Sequence, residues 1–306
     1  MKAGCLLSTL FLPMALWGQA RPVPPLPAPD DSILVSSEWL ASRLGDTALT
    51  IIQIEGSTET WARGHIPGAQ PLAFSAIVVN RGNLTAEFPP VETLNSVLES
   101  VGIATRRRVV IYGEPLYASR LFYTLDYLGL GDRAAILDGG LSKWQAEGRP
   151  VTTDSTPPRR GTLEPRVQPT LLVDGSWVQQ HLADSMTVLL DARSIAEYKG
   201  ETPGEHIERP GHIPGAVNIY WRELFERHNP PILIDRPTLR SMLRDAKLTP
   251  DRRIVVYCRT GTQASWLYFA LRNLGYAPAL YDASYTEWSA DPSLPIEGPT
   301  RPADRP

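Results

Sequence analysis

Short apolar runs alternate with amphipathic stretches along almost the whole chain, and the alternation runs through twice. The first round has an apolar run at ILV (33–35), a Ser-capped helical pattern in SEWLASRL (37–44) and the strand-like TIIQI (50–54). A turn at GHIPGA (64–69), a helix over VETLNSVLESVG (91–102), VVIY (109–112), a helix through LFYTLDYLG (121–129) and AAILD (134–138) complete it. The second round answers with LLV (171–173), SWVQQHL (176–182), TVLLDA (187–192), GHIPGA again (211–216) and AVNI (216–219). It ends with TLRSMLRDA (238–246), IVVY (254–257), SWLYFALRNLG (265–275), ALYDA (279–283) and a last helix at YTEW (285–288). Apolar runs of strand length alternating with helical periodicity predict, in each round, an α/β fold: a mainly parallel sheet with helices on both faces. Ligands of such sheets bind beyond the carboxyl ends of the strands.

The two rounds are copies of one another. GHIPGA recurs at an offset of 147, and DGGLSKW (138–144) matches DASYTEW (282–288) at an offset of 144. Between them, VVIYGEPLYASRLFYTLDYLG from Val109 aligns without gaps to VVYCRTGTQASWLYFALRNLG from Val255, pairing Tyr112 with Cys258, Glu114 with Thr260 and Pro115 with Gly261. Matches in one order at nearly constant offset indicate a tandem duplication; a solenoid would need more and shorter units. The polar, Pro-rich VTTDSTPPRRGTLEPRVQP (151–169) reads as a linker. The expected organisation is a signal segment over 1–20, a first domain over 33–150, a linker over 151–170, a second domain over 171–298 and a tail over 299–306. The chain after Ser293 is expected to hang loose.

MKAGCLLSTLFLPMALWGQA (1–20) combines Lys2, an apolar run from Cys5 to Trp17 and a small-x-small ending in Gly18 and Ala20. This is the pattern of a cleaved export signal, with a buried N-terminal helix as the alternative. The run is short against the roughly 20 apolar residues of a membrane span, and Pro13 interrupts it. The mature protein is therefore expected to be exported, periplasmic or secreted, with no integral membrane segment. With 30 basic and 33 acidic residues the net charge is −3, which gives no electrostatic case for binding nucleic acid. Cleavage would remove Cys5 and leave Cys258 as the one thiol. An unpaired thiol in an oxidising compartment needs either burial or a task.

Cys258 follows IVVY where a strand leaves its sheet, and RTGTQ separates it from a helix beginning near Ala264. A short loop containing Gly261 can turn successive amides toward one point, while the helix N-terminus adds partial positive charge. A thiolate held there has a depressed pKa, and Arg259 adds a full charge. An inert core cysteine is the alternative. The first copy lacks the thiol, the glycine and the positive charge, so only the second is expected to perform thiol chemistry.

These residues resemble the tandem-domain rhodaneses, the thiosulfate and mercaptopyruvate sulfurtransferases, over residues 34–298. The paired GHIPGA segments, DARSIAEY (191–198), CRTGTQAS (258–265) and the paired Asp-to-Trp endings carry the resemblance. It implies two rhodanese-like domains, the first inactive, with Cys258 the catalytic nucleophile that becomes a persulfide. Arg259, Thr260, Gly261, Thr262 and Gln263 would bind the substrate. The resemblance further implies a monomer without cofactor or metal, whose partners are a small-molecule sulfur donor and a thiol or cyanide acceptor. Arg directly after the cysteine is similar to thiosulfate users, whereas mercaptopyruvate users tend to carry a small residue there; a guanidinium suits a sulfonate-like dianion. Thr260 stands where some thiosulfate users have Lys, and Glu197 where the family often has Arg. Arg193 is then a candidate substrate ligand, or a structural partner of Asp191.

Other residues have plainer expectations. His65 and His212 should brace their turns, and Trp144 and Trp288 should pack in cores. KGETPGEHIERP (199–210), absent from the first copy, should be a solvated loop rather than a wall of the cleft. Two rivals stay open. Cell-cycle dual-specificity phosphatases share the fold, but their cysteine loop is one residue longer and ends in an Arg, where this chain has Gln263, Ala264 and Ser265. A non-catalytic sulfur-binding or redox module would use the same cleft without turnover.

Overall fold

The structure, a computed structural model, describes residues 32–57, 59–226, 232–246, 248–249 and 251–298. The expected signal segment and the 299–306 tail lie outside the described residues. The first copy runs β1 (Leu34–Val35), α1 (Ser37–Ala41), β2 (Leu49–Glu55), α2 (Glu59–Ala62), β3 (Ala69–Ala73), the hairpin strands β4 (Val79–Arg81) and β5 (Leu84–Glu87), α3 (Val91–Ser100), β6 (Arg108–Gly113), α4 (Pro115–Tyr127), β7 (Ala134–Leu137) and α5 (Gly140–Ala146). The second runs β8 (Leu172–Val173), α6 (Gly175–His181), β9 (Thr187–Asp191), α7 (Ile195–Tyr198), β10 (Val217–Asn218), α8 (Arg236–Asp245), β11 (Arg253–Tyr257), α9 (Thr262–Asn273), β12 (Ala279–Tyr281) and α10 (Ser284–Ala290).

Each copy forms a five-stranded parallel sheet, in the order β1-β7-β6-β2-β3 and, position for position, β8-β12-β11-β9-β10. The central strands are β-branched on both faces and buried, as a parallel sheet covered on two sides requires. Helix starts carry their own signals: Ser36 accepts from Trp39 N at 3.1 Å, and Asp174 and Asp235 cap α6 and α8 in the same way.

The copies meet through α4 and α9. Phe122 packs edge-on against Phe269 with ring centroids 4.9 Å apart, and Tyr123 against Tyr268 at 5.0 Å. Phe269 is the counterpart of Tyr123, and Tyr268 the counterpart of Phe122, so the contacts are reciprocal, as across a two-fold axis. One buried apolar cluster continues through both copies from Ile52 to Leu280. Polar ties add to it. Asp126 accepts from Tyr268 Oη at 2.8 Å and from Arg272 Nε at 2.6 Å. Asp282 accepts Phe88 N at 2.8 Å from the end of the first hairpin, and its counterpart Asp138 accepts Leu233 N at 3.3 Å. The aspartates of the paired Asp-to-Trp motifs thus bind each copy to the other.

The remaining repeat residues brace their copies. Trp144 and Trp288 are fully buried, with indole N–H donated to Pro150 O and Pro295 O at 2.8 Å. His65 stacks on Trp61 and bridges to Thr152, and His212 stacks on Tyr198 and bridges to Glu297. One expectation needs correction. From Leu294 to Gly298 the chain packs rather than hanging loose: Leu294 is buried, and the Glu297 carboxylate lies 3.2 Å from His212 Nε2. The 199–210 segment is largely exposed, as expected of a solvated loop, and is anchored near its end, where Arg209 donates to the carbonyls of Ser289, Leu294, Trp288 and Asp291. Among the described residues no helix is long and apolar enough to cross a membrane.

Candidate active site

The strand-to-helix turn of the second copy begins at Cys258. Its backbone is fixed from below by the β12–α10 turn: Cys258 N donates to Ser284 Oγ at 3.2 Å, and Cys258 O accepts from Tyr285 N at 3.0 Å. Thr286 Oγ1 donates to Arg259 O at 2.8 Å. So braced, the loop turns the amides of Thr260, Gln263 and Ala264 onto the Cys258 sulfur. Gly261 makes the turn with φ +79°, and a Cβ there would stand 2.6 Å from Asp282 Oδ1 and 3.1 Å from Arg120 Nη1. Only glycine fits this left-handed, walled position.

The wall comes from the first copy. Arg120 projects from α4, is fully buried, and bonds Asp282 Oδ1 at 2.5 Å and Ala86 O at 2.8 Å. The cysteine turn therefore rests on an ion pair whose cation belongs to the other copy. Sequence reasoning missed Arg120, because the gapless alignment gave it only a tryptophan, Trp266, as counterpart. Next to the pair, burial and the nearby Asp282 charge push the Glu87 carboxyl up to about 7.

Three expectations about the site change. First, Cys258 is 1% exposed, and burial pushes its thiol up from the ordinary value, outweighing the three amides that pull it down. The expected depressed pKa does not hold for the free thiol, because desolvation of the charged form costs more than the cradle returns. Second, Arg193 is not placed to bind substrate. Its guanidinium is 1% exposed, bonds both oxygens of Asp191 and the Gly211 carbonyl, and lies 4.0 Å above the Tyr285 ring. Third, Gly204 of the 199–210 segment packs where a Cβ would meet Arg259 Cδ at 3.0 Å and Glu197 Oε1 at 3.1 Å, so this largely solvated segment also touches the residue that follows Cys258. Arg259 is one-third exposed there, with Nη1 4.0 Å from Glu197 Oε1. Gln263 Oε1 is buried with no partner among the described residues.

The counterpart loop of the first copy is built differently. Tyr112 and Tyr257 both accept an amide from their GHIPGA turn, Ile66 N at 3.0 Å and Ile213 N at 3.2 Å, so these tyrosines are equivalent. The gapless pairing of Tyr112 with Cys258 is off by one; Gly113 occupies the cysteine position. Six residue steps separate Tyr112 from Ala118 and seven separate Tyr257 from Ala264, so the first loop is one residue shorter. Its helix N-terminus is filled from within, because the Glu114 carboxylate accepts from Leu116 N at 2.8 Å and Tyr117 N at 3.1 Å. The sulfur of one copy and the carboxylate of the other share one equivalent amide, that of Gln263 and its counterpart Tyr117; Glu114 takes Leu116 N besides, while Cys258 takes Thr260 and Ala264.

A buried sulfur ringed by amides at a helix start can be stabilised as an anion, whether thiolate or persulfide. Among the described residues no three His, Cys, Asp or Glu side chains gather to hold a metal. The model of the rhodanese-like domain matches residues 36–147 and 174–291. The chain is 32% identical over 280 residues to the sulfur carrier protein TtuD of Thermus thermophilus, covering 86% of this chain and 96% of that one. It is 29% identical over 268 residues to a thiosulfate sulfurtransferase of Azotobacter vinelandii, covering 87% and 97%. In fold it is similar to the anaerobic ergothioneine biosynthesis enzyme of Chlorobium limicola solved with trimethyl histidine, with a TM-score of 0.76 at 23% identity over 87% of this chain and 70% of that one. With the domain found twice and the amide-ringed cysteine confined to the second copy, this chain belongs to the rhodanese-like sulfurtransferase family.

Proposed function

We propose that the protein moves the sulfane sulfur of thiosulfate, through a Cys258 persulfide, to a thiol or cyanide. The observation that supports this reading is the convergence of the Thr260, Gln263 and Ala264 amides on the Cys258 sulfur. In the first step the thiolate attacks the outer sulfur of thiosulfate; the S–S bond to the sulfonate breaks, sulfite leaves with the electron pair, and the persulfide keeps one negative charge. In the second step cyanide or a thiolate attacks the outer sulfur, thiocyanate or a new persulfide leaves, and the thiolate returns. Both resting forms are anions on the same amides, which is the logic of covalent, ping-pong catalysis.

Burial sets a condition on this reading. At 1% exposure the sulfur is unreachable, so transfer requires a motion that opens a path to it. Alkylation of the resting thiol by iodoacetamide at neutral pH should then run slower than that of a free cysteine. The rate should still climb as the pH passes the ordinary thiol value of 9.0, because the thiol is pushed up. Thiocyanate formation from thiosulfate and cyanide tests the function itself. Turnover should vanish in Cys258→Ser; turnover surviving that substitution removes Cys258 from the mechanism.

Thiosulfate is the proposed donor on the strength of Arg259, a one-third exposed cation directly after Cys258. Glu197, 4.0 Å away, offsets part of that charge, so Glu197→Gln should raise kcat/KM for thiosulfate by severalfold. Faster turnover of 3-mercaptopyruvate than of thiosulfate would overturn the donor assignment while leaving the persulfide in place. Export rests on residues 1–20 alone; N-terminal sequencing of protein from the cell exterior should begin after Ala20.

A further inference from the structure

A cavity of 410 Å³ opens at the carboxyl end of the first sheet, at the position that the active loop holds in the second copy. Its walls include Glu55, Arg63, Gly113, Glu114, Asp138 and Trp266. The volume suits a small organic molecule.

The strand registers identify what each wall residue replaces. Gln53 pairs with Tyr112 as Asp191 pairs with Tyr257, so Gln53 and Glu55 stand where the second copy has Asp191 and Arg193. A cation has become an anion. Gly113 stands where the nucleophile was, which leaves room. The helix amides that would hold an anion are occupied by Glu114. Trp266, from α9, reaches the first copy as its counterpart Arg120 reaches the second, so a guanidinium has become an aromatic wall. Trp266 is 4% exposed, stacks on Phe225 at 4.7 Å, and its indole N–H has no acceptor among the described residues. Three of these changes, Glu55 for Arg193, Glu114 on the helix amides and Trp266 for Arg120, remove positive or add negative charge, Gln53 for Asp191 runs the other way, and Gly113 makes room, so the neutral Asp191–Arg193 pair is replaced by a net negative charge.

The charges on the walls are unevenly matched. Asp138 is neutralised by Lys143 at 3.2 Å and also accepts Leu233 N. Arg63 is exposed at the rim and faces Glu55. Burial pushes both Glu55 and Glu114 above the ordinary carboxylate range, and the Glu114 charge pushes Glu55 further. Two carboxylates desolvated together are relieved by a cation between them, and an aromatic face and apolar walls such as Leu34, Ile136 and Leu141 suit its body.

We infer that the first copy holds a second ligand site, a pocket of polarity opposite to the sulfur site, which takes a small organic cation bearing an amine or amidinium on an apolar body. The pocket's ligand chemistry does not depend on Cys258, so the site stands or falls separately from sulfur transfer.

Benzamidine, benzamide and benzoate are matched probes of one shape and three charges, and their binding to the full-length protein can be followed by calorimetry. Benzamidine should bind at least tenfold more tightly than benzamide, and benzoate should not bind measurably. Glu55→Gln should weaken benzamidine by at least tenfold, and Cys258→Ser should leave it within twofold. Should Glu55→Gln fail to fold, magnetisation transfer from the benzamidine ring protons to the Trp266 indole in the unmodified protein, assigned with Trp266→Phe, locates the ligand. Equal affinity for benzamidine and benzamide, binding unchanged in Glu55→Gln, or absence of that transfer overturns the inference.

Discussion

The two copies share strand order, register and the amide-bearing turn at the start of a long helix, yet only one of them holds a sulfur there. In the second copy the amides of Thr260, Gln263 and Ala264 meet Cys258; in the first those of Leu116 and Tyr117 meet the carboxylate of Glu114. An anion site built by backbone geometry survives duplication even when the side chain that uses it is lost, because the helix start still needs an acceptor. What differs is where the anion comes from and whether it can carry a sulfur atom. The first copy also contributes to the second. Arg120 holds Asp282 against Gly261, so the copy without a thiol supplies the cation under the turn of the copy that has one.

The largest way to break the comparison is at the sulfur itself. Cys258→Ser should lower sulfur transfer by about a thousandfold or more while leaving the thermal unfolding midpoint nearly unchanged. Gly113→Cys, which places a thiol at the equivalent point, should restore nothing in that background, because Glu114 occupies the amides. Next is the shared ion pair. Arg120→Met leaves Asp282 buried without its guanidinium, and denaturant unfolding should show a loss of about 3–5 kcal/mol. Gly261→Ala forces a Cβ at φ +79° into Asp282 Oδ1 at 2.6 Å; about 2–3 kcal/mol of stability should go, and activity with it.

The smallest effect is at Glu87, whose carboxyl stands at about 7 through burial and the Asp282 charge. A carboxyl raised in the folded state favours folding while protonated, so its contribution is present below pH 4.5 and is lost as pH rises through 7. Glu87→Gln should therefore stabilise the protein at pH 8 by about 1–2 kcal/mol and leave it unchanged near pH 4.

The duplication, the parallel sheets and the placement of Cys258 at a strand-to-helix turn were legible because each leaves a local mark: apolar runs, repeated GHIPGA, and a glycine three residues after the thiol. The histidine braces and buried tryptophans were legible for the same reason. Three things were not. The Tyr112–Tyr257 equivalence was hidden by a one-residue difference in loop length, which a gapless alignment spreads over the whole turn. Arg120 carries no motif; its role exists only once α4 and α9 are packed. The thiol's raised pKa depends on burial to 1% exposure, a property of the folded chain around the loop rather than of CRTGTQ. Arg193 was ambiguous in sequence, and the depth at which it meets Asp191 decides for the structural ion pair.

The most direct measurement is the mass of the Cys258 peptide after the protein is incubated with thiosulfate and digested without reductant. The peptide should be heavier by one sulfur atom, and brief treatment with cyanide should remove that sulfur as thiocyanate. An unchanged peptide mass under conditions of turnover, or the added sulfur found elsewhere on the chain, would contradict a sulfur carried on Cys258.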